Sequence, residues 1–446
     1  MIKFKSDFAL GTATAAAQIE GGNVDSNWYN FCNVKGNILD GTHCKRANQH
    51  WLKYEEDIAL LEELNIGYYR MSIDWARVEP KEGHFDESAL LRYRKEIEIM
   101  KNKGIKTYLT FHHFSHPQWF EDKGAFTKAE NIKFFMRYIE KTLEYVGDLV
   151  SEYATLNEPN VYALNTCLAG EWMQKNKSII KTINCMNVFI AAHRSAYALI
   201  HNYRKEKGFL DTMVSYAHHV RHFTPKRQNN PIDKKGARLL SFLFQEGFFE
   251  AAALGNFRFP FKNILNLPKG PAIDMISLNY YTRGETKYFN DTVKENVPKS
   301  DLGWEIYPDG LIKEAQRCYN LIKLPIYVSE NGCCDNEDAF RSLYIYDHLK
   351  AIVESDLPFK RYYHWCFLDN FEWSDGELPR FGMVYCDYET QERRLKNTAY
   401  FYKDMIQNHG ITEEAYLRFV KPCKYHKDEV NVLREYLSEE DVRKRR

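Results

Sequence analysis

Short strand-like runs alternate with longer helix-period segments along almost the whole chain, and this alternation restricts the possible folds more than any other feature. The segments between the runs carry apolar residues at helical spacing, as at Trp51, Tyr54 and Ile58. Eight runs are predicted as strands: Phe8–Ala15, Tyr68–Ile73, Thr107–His113, Glu152–Asn157, Met213–His219, Ile273–Tyr280, Pro325–Ser329 and Tyr362–Leu368. Such an alternation produces either a closed barrel or a large doubly wound sheet.

The glycine pattern favours the barrel. No Gly-x-Gly-x-x-Gly follows the first run and no phosphate loop is present, so the usual marks of nucleotide-binding sheets are missing. The sequence therefore predicts the α/β class, with a single (β/α)8 barrel and extended βα loops over residues 1–410. A chain of 446 residues is compatible with one such barrel. Residues 411–446 are predicted to form a charged C-terminal extension with a short helix packed on the barrel, the helix including Ser438–Arg446.

Charge and hydropathy exclude several kinds of partner. Lys plus Arg and Asp plus Glu are both 61, so the formal net charge is zero. This balance argues against a nucleic-acid footprint or a patch for anionic membranes. No apolar run approaches the length of a membrane span, and Met1–Leu10 is too polar for a signal peptide. We expect a cytoplasmic protein, and the sequence leaves open whether it forms a homo-oligomer.

Cysteine and histidine spacing does not predict a metal centre. The ten cysteines form no Cys-x-x-Cys pair, which is typical of reduced thiols. One histidine cluster contains His112 and His113, another contains His218 and His219, and neither has the spacing of a zinc hydrolase helix. The sequence therefore predicts neither a catalytic metal nor another cofactor.

Two glutamates each end a predicted strand. Glu158 ends the fourth, within Thr155–Pro159, and Glu330 ends the seventh, within Val328–Gly332. A carboxylate at the end of a buried strand is costly unless something holds it there. In a barrel the chemistry lies at the carboxyl ends of the strands, so both side chains are expected at one mouth. The pattern predicts a paired-acid active site; the alternative is that each glutamate forms a structural ion pair.

Other strand ends carry amides, an imidazole, an arginine and indoles. These residues are Gln18, Arg70, His113, Asn157, Asn279, Tyr281, Trp365, Glu372 and Trp373. Such groups suit a polyol ring, because sugars present hydroxyls to polar side chains and a C–H face to flat aromatic rings. The expected ligand is therefore a sugar.

Several ordered motifs carry a family resemblance. They are Tyr69–Ile73, Thr155–Pro159, Leu278–Thr282, Gly303–Pro308, Ser329–Gly332, Leu368–Trp373 and Arg380–Gly382. Together they resemble the signatures of glycoside hydrolase family 1, the β-glucosidase family. The resemblance extends from about Phe8 to Ile406 and implies a retaining β-glycosidase on a (β/α)8 barrel.

The resemblance also implies residue roles. Glu158 corresponds to the acid/base and Glu330 to the nucleophile, with their carboxyl groups about 5–5.5 Å apart as in retaining enzymes. The residues that it implies for substrate binding are Gln18, His113, Asn157, Tyr281, Trp365, Glu372 and Trp373. Supporting positions are Arg70, Asn279, Trp304 and Phe381.

Departures from the family pattern concern specificity. Family members that act on phosphorylated sugars replace the glutamate at position 372, whereas this chain keeps it, so an unphosphorylated glucosyl, galactosyl or fucosyl group is expected. The position after Glu158-Pro159 is Asn160 instead of the family's tryptophan, which predicts weaker stacking on the leaving group. A 6-phospho-β-glucosidase and a non-catalytic sugar-binding barrel remain the alternatives.

Overall fold

The computed structural model describes residues 1–427 and contains a closed barrel of eight parallel strands. The strands are β1 Ala9–Ala13, β2 Tyr68–Ser72, β3 Lys106–His112, β4 Glu152–Asn157, β5 Met213–Pro225, β6 Ile276–Lys287, β7 Ile326–Asn331 and β8 Phe359–Trp365. Each strand pairs with the next along the chain, and β8 pairs with β1 to close the ring. The predicted (β/α)8 barrel is confirmed.

A long helical segment follows each strand and covers the outside of the barrel. These segments are α1 His50–Glu63, α2 Glu87–Asn102, α3 Ile132–Val146, α4 Ile179–Glu206, α5 (Pro231–Ser241 and Gly247–Leu254, joined by the π-helical turn Phe242–Glu246), α6 Pro308–Leu321, α7 Arg341–Glu354 and α8 Asn397–Asn408. In α3, Phe135, Ile139 and Leu143 are all buried. Their spacing places them on one face of the helix. The recurrence of apolar residues at this spacing is why the sequence predicted α3 as a helix.

Shorter elements line the loops. The short helices are Ala16–Ile19, Asn27–Cys32, Trp75–Val78, Gln118–Asp122, Ala125–Thr127, Ala129–Asn131, Pro159–Leu164, Asn165–Ala169, Trp373–Asp375, Glu413–Ala415 and Tyr416–Val420. The short strands are Ile2–Lys3, Asn290–Thr292, Val384–Cys386, Arg393–Leu395 and Gly410–Ile411. Most of these elements lie in connections after a strand, so the βα loops are extended.

Aromatic side chains fill the barrel interior. The ring of Tyr108 lies 6.2 Å from that of Tyr327 and 5.7 Å from that of Tyr363, and its hydroxyl is 2.9 Å from Ser277 Oγ. All three tyrosines are buried. A packed interior leaves only the two ends of the barrel for a binding site.

Strands β5 and β6 continue beyond the barrel as a two-stranded ribbon. Their pairing runs from His218 opposite Leu278 to Pro225 opposite Thr286, so the β5–β6 ribbon consists of residues 218–225 and 278–286. The sequence predicted that these strands end at His219 and Tyr280. The longer strands raise a hydrogen-bonded wall above one side of the barrel mouth.

The first residues of the chain pair with the segment that follows α8, on the outside of the barrel. Ile2–Lys3 pairs antiparallel with Gly410–Ile411, and the Tyr416 ring lies 5.1 Å from the Tyr346 ring on α7. The helix predicted within residues 438–446 lies outside the described residues, and the boundary at residue 410 stays a prediction. Over residues 1–427, none of the helices combines the length and apolar character that crossing a bilayer requires.

Candidate active site

A cavity of about 340 Å³ opens at the carboxyl ends of the strands. Most of the residues that the sequence proposed for the site line it: His113, Asn157, Glu158, Tyr281, Trp304, Glu330, Trp365, Glu372, Trp373 and Phe381. Gln18, Arg70 and Asn279 lie directly behind this lining and hydrogen-bond to the carboxylates within it. The barrel therefore brings all the proposed residues together at one mouth.

Glu158 occupies a sharp turn between β4 and the short helix that begins at Pro159. Its backbone is left-handed, with φ 41° and ψ 56°, and Pro159 occupies the first helical position. A non-glycine residue in this conformation is strained, and such strain is common where a side chain must be aimed at a ligand. Glu158 Oε1 accepts a hydrogen bond from Asn279 Nδ2 (2.8 Å) and lies 2.8 Å from His219 Nδ1.

Glu330 ends β7 and is only 3% exposed. One carboxylate oxygen pairs with the Arg70 guanidinium, and the Tyr281 hydroxyl donates to the other, Oε2, at 2.7 Å. The next turn requires glycine, because a Cβ at Gly332 would lie 1.8 Å from the Trp365 carbonyl oxygen. This close approach joins the end of β7 to the end of β8, where the indole of Trp365 enters the cavity.

A chain of hydrogen bonds connects the two carboxylates. Arg70 pairs with Glu330 and donates through Nη2 to Asn157 Oδ1 at 2.7 Å. Asn279 Nδ2 donates to the same Asn157 oxygen at 3.0 Å and to Glu158. Since Ser329 Oγ donates to Asn279 Oδ1 at 2.6 Å, the orientation of the Asn279 amide is fixed. The positions of the two acids are therefore set by one shared network.

Burial and hydrogen bonding act in opposite directions on the pKa of Glu330. Burial raises the pKa of Glu330 to about 7, and the charge of Glu158 acts in the same direction. Arg70 and the Tyr281 hydroxyl oppose this rise, because both donate hydrogen bonds that stabilise the ionised carboxylate. Burial has the larger effect, so the pKa of Glu330 stays above its usual value.

Two buried polar atoms at the cavity lack a partner within the described part of the chain. The buried atoms Gln18 Oε1 and His113 Nδ1 have no hydrogen-bond partner among residues 1–427. Gln18 Nε2 donates to Glu372 Oε2 at 3.3 Å, and the His113 ring stacks 5.6 Å from Trp365. Burial lowers the pKa of His113 well below its usual value, so the ring is neutral. Burial and then Asp375 raise the pKa of Glu372 well above its usual value.

Tyr281 is packed by two of the residues proposed as supports. The Trp304 ring lies edge-on to it at 5.8 Å and the Phe381 ring at 6.5 Å. These contacts restrict the rotation of the Tyr281 ring, so its hydroxyl stays directed at Glu330.

One wall of the cavity was not anticipated from the sequence. His219 and Arg221 on the β5–β6 ribbon line it together with Phe244 from the π-helical turn of α5. Asn160, in contrast, is fully buried outside the lining, and its amide donates to the backbone carbonyls of His219 and Phe244 at 2.9 and 3.2 Å. The Asn160 side chain therefore supports this wall from behind and is not part of the cavity surface. Trp172 also lines the cavity, but its ring packs against Phe114 and Trp373 rather than against the ribbon.

Fold and site together define a class of protein. Two buried carboxyl groups at the mouth of a (β/α)8 barrel, beside polar and aromatic side chains, form the catalytic arrangement of a glycoside hydrolase. A family model described as "Glycosyl hydrolase family 1" matches residues 1–411. The chain belongs to this family, and it is a retaining β-glycosidase.

Individual relatives cover nearly the whole chain. It is 30% identical to "Beta-glucosidase A" of Acetivibrio thermocellus, over 92% of this chain and 99% of that one. A solved beta-glycosidase from Pyrococcus horikoshii is 33% identical with a TM-score of 0.86, over 94% of this chain and 98% of that one. The beta-glucosidase from Thermotoga maritima in complex with glucoimidazole is 28% identical with a TM-score of 0.84, over 92% and 100% of the two chains.

Proposed function

We propose that this enzyme hydrolyses unphosphorylated β-glucosides, with Glu330 as nucleophile and Glu158 as acid/base. The observation that carries the assignment is the difference between the two carboxyl environments. Glu330 accepts hydrogen bonds from the Arg70 guanidinium and the Tyr281 hydroxyl, and both favour its ionised form. Glu158 instead accepts a hydrogen bond from the Asn279 amide on Oε1. The names of the relatives, beta-glucosidase and beta-glycosidase, agree with this substrate class.

In this proposal the reaction has two steps, formation of a glycosyl ester on Glu330 and its hydrolysis. A Glu330 oxygen attacks the anomeric carbon, the glycosidic C–O bond breaks, and the proton on Glu158 Oε2 passes to the leaving oxygen. Formation of the glycosyl ester removes the charge of Glu330. Glu158, now ionised, takes a proton from water as the hydroxide oxygen attacks the anomeric carbon and releases Glu330. Two inversions give a product with the β configuration.

We assign the glycone hydroxyls to Gln18, His113, Asn157 and Glu372. The partnerless Gln18 Oε1 and His113 Nδ1 support this assignment, because buried polar atoms normally have a partner and a sugar hydroxyl can supply it. Trp365 and Trp373 flank His113, with ring distances of 5.6 and 6.0 Å, and present flat surfaces to the C–H face of the ring.

The acidic end of the cavity favours an unphosphorylated sugar. Glu372 and Asp375 both line this end. Among the described lining residues the cationic side chain is Arg221, which pairs with Asp291 on the β5–β6 side. A phosphate at this end would add negative charge beside Asp375 and Glu330, whose charges, together with burial, already raise the pKa of Glu372, and such like-charge contacts cost several kcal/mol.

Hydrolysis of 4-nitrophenyl β-glucoside and of its 6-phosphate tests the substrate class. We expect kcat/KM for the 6-phosphate to be at least roughly 10²-fold lower because of this like-charge contact. The isosteric Glu372→Gln variant keeps the shape, and it should lower kcat/KM for the unphosphorylated substrate roughly 10- to 100-fold, because an amide nitrogen replaces a carboxyl oxygen and leaves a sugar hydroxyl without its acceptor. Preference of the wild type for the 6-phosphate would contradict the proposal, and parallel assays with the galactoside and fucoside define the epimer.

His219 is expected to act through Glu158. Its Nδ1 lies 2.8 Å from Glu158 Oε1, and its ring stacks on Tyr281 at 6.0 Å. His219→Phe keeps a flat ring but removes the hydrogen bond. We expect kcat to fall roughly 10-fold for alkyl β-glucosides, because a hydrogen bond to a charged group contributes about 1.5–3 kcal/mol. With 2,4-dinitrophenyl β-glucoside, which needs little acid assistance, kcat/KM should change little.

His222 provides a matched control for this experiment. It lies on the same strand but bonds to Glu314, at 2.8 Å, instead of to a catalytic glutamate. His222→Phe should leave the ratio of the two substrates unchanged. Equal losses with both substrates in His219→Phe would show that the histidine does not act through the acid.

We also propose that the enzyme resides in the cytoplasm. Every cysteine in the described part of the chain is a free thiol. Free thiols that are mostly buried are typical of proteins from reducing compartments. Fractionation of cells of the source organism with an antibody to the enzyme would test the location.

A further inference from the structure

A cluster of two cysteines and a histidine lies outside the active site, in the loop after β1. The two sulfurs of Cys32 and Cys44 and a ring nitrogen of His43 all lie within 4.8 Å of one another. Cys32 ends the short helix Asn27–Cys32, while His43 and Cys44 come back to it from the far end of the loop. Sequence spacing could not reveal the cluster, because twelve positions (44 − 32) separate the cysteines.

The distances approach those of a tetrahedral zinc site. His43 Nδ1 lies 3.9 Å from Cys44 Sγ. With Zn–S near 2.3 Å and Zn–N near 2.0–2.1 Å, neighbouring ligand atoms in a tetrahedron are about 3.6–3.8 Å apart. The three ligand atoms, which lie within 4.8 Å of one another, must therefore approach by at most about 1 Å to hold the ion.

The histidine is already held in the tautomer that a metal requires. Its Nε2 lies 3.2 Å from Asn33 Oδ1, and its Nδ1 accepts a hydrogen bond from the Lys45 backbone N–H at 3.0 Å. Nε2–H therefore donates to the Asn33 oxygen, and the Nδ1 lone pair accepts from Lys45 while Cys44 Sγ lies 3.9 Å from the same nitrogen. Metal-binding histidines almost always donate the other ring N–H to an oxygen in this way. A metal at Nδ1 would replace the Lys45 donor.

The ligand atoms of the cluster indicate which metal ion it would bind, and the exposure of its residues indicates how the ion would enter. Thiolate and imidazole ligands favour zinc over magnesium or calcium. Cys44 is buried, whereas Cys32 and His43 are partly exposed, so an ion can enter from solvent. Asp40 is not available as a fourth ligand, since its two oxygens already accept from Thr42, Glu377 and Leu378. A water molecule would complete the coordination.

We propose that Cys32, His43 and Cys44 bind one Zn²⁺ ion that cross-links the loop after β1. The loop supports the glycone end of the active site: Leu39 N–H donates to the Ser374 carbonyl at 2.9 Å, and Asp40 holds the backbone of residues 377–378. This segment directly follows Glu372 and Trp373. Zinc binding at the cluster would therefore stabilise the loop on which that end of the cavity rests.

Titration of the full-length, reduced and chelator-treated protein with zinc tests the proposal. We expect one equivalent to bind in competition with a chromophoric chelator, and Co²⁺ to give thiolate-to-cobalt charge-transfer absorption. Zinc should raise Tm by roughly 2–4 °C, because an ion that binds only the folded state stabilises it. Cys44→Ser and His43→Asn should lose the binding, the absorption and the shift in Tm.

Cys423→Ser serves as the matched control, because Cys423 is a partly exposed cysteine outside the cluster. It should bind zinc like the wild type. Wild-type affinity in both cluster variants, or a Cys32–Cys44 disulfide in protein isolated under reducing conditions, would overturn the zinc site. Binding without a rise in Tm would overturn its stabilising role. Hydrolysis of nitrophenyl glucoside is measured separately, so failure here leaves the proposed catalytic roles unaffected.

Discussion

Glu330→Gly is expected to lower kcat for 4-nitrophenyl β-glucoside by at least roughly 10⁴-fold, since loss of a nucleophile removes the covalent route. Added azide should restore turnover and yield the α-glycosyl azide, because one direct attack inverts the anomeric carbon. The Arg70 guanidinium, which pairs with Glu330, would then face the entering anion. Steady-state rates with and without azide, and the configuration of the product by NMR, provide the measurement.

The controls for this variant follow from the same contact. Glu330→Gln should be equally inactive but not rescued, because its side chain fills the space that azide needs. Removing one partner of a buried ion pair costs about 3–5 kcal/mol of stability. Arg70 keeps hydrogen bonds to Asn157 and the Ser329 carbonyl, so we expect a folded protein with a lower Tm. Unchanged activity in a folded Glu330→Gly variant would refute the nucleophile assignment.

Glu158→Ala is expected to separate substrates by their leaving groups. For alkyl glucosides kcat/KM should fall roughly 10²- to 10⁴-fold, the usual contribution of general acid catalysis, whereas 2,4-dinitrophenyl β-glucoside should lose little. In the wild type, burial and the charge of Glu158 act together to raise the pKa of Glu330 to about 7. The variant removes this charge, so the acidic limb of kcat/KM for 2,4-dinitrophenyl β-glucoside, where Glu330 ionises, should move to lower pH.

Azide distinguishes the two glutamates in a second way. In Glu158→Ala it should attack the glycosyl ester on Glu330, so two inversions give the β-glycosyl azide. An α product from this variant together with a β product from Glu330→Gly would reverse the assignments. Glu158→Gln, which places an uncharged amide of the same shape near Asn279 and His219, is the control for local packing.

The alternation of apolar runs was sufficient to predict the barrel and to place Glu158 and Glu330 at one mouth. Strand β4 matches the predicted Glu152–Asn157, and β7 extends only slightly past its prediction to include Glu330 and Asn331. The apolar spacing and the length of each strand or helix are local properties of the chain. Once eight strand and helix units alternate, a closed barrel is a natural arrangement for them. These predictions were possible from the sequence because each depends on residues close together in the chain.

Other features depend on contacts between distant residues. The sequence treated His219 only as part of a histidine cluster, because nothing local reveals that β5 continues beside β6 and carries this ring to Glu158. Asn160 was expected to affect the leaving group by its missing ring, yet its amide is buried against the carbonyls of His219 and Phe244. In both cases the partner lies dozens of positions away, so no spacing rule could identify it.

The β5–β6 ribbon has a consequence for how substrate preference could diverge. Its His219, Arg221 and Thr282 line the cavity from a two-stranded ladder. The register of this ladder shifts after Val220, where the adjacent Tyr281 and Thr282 both reach the cavity. On either side of this shift the side-chain direction alternates and the register is fixed, so a substitution changes one side chain without moving its neighbours. Libraries for new acceptor alcohols in glycoside synthesis can therefore vary alternate ribbon positions independently, while insertions there would shift every later side chain to the other face.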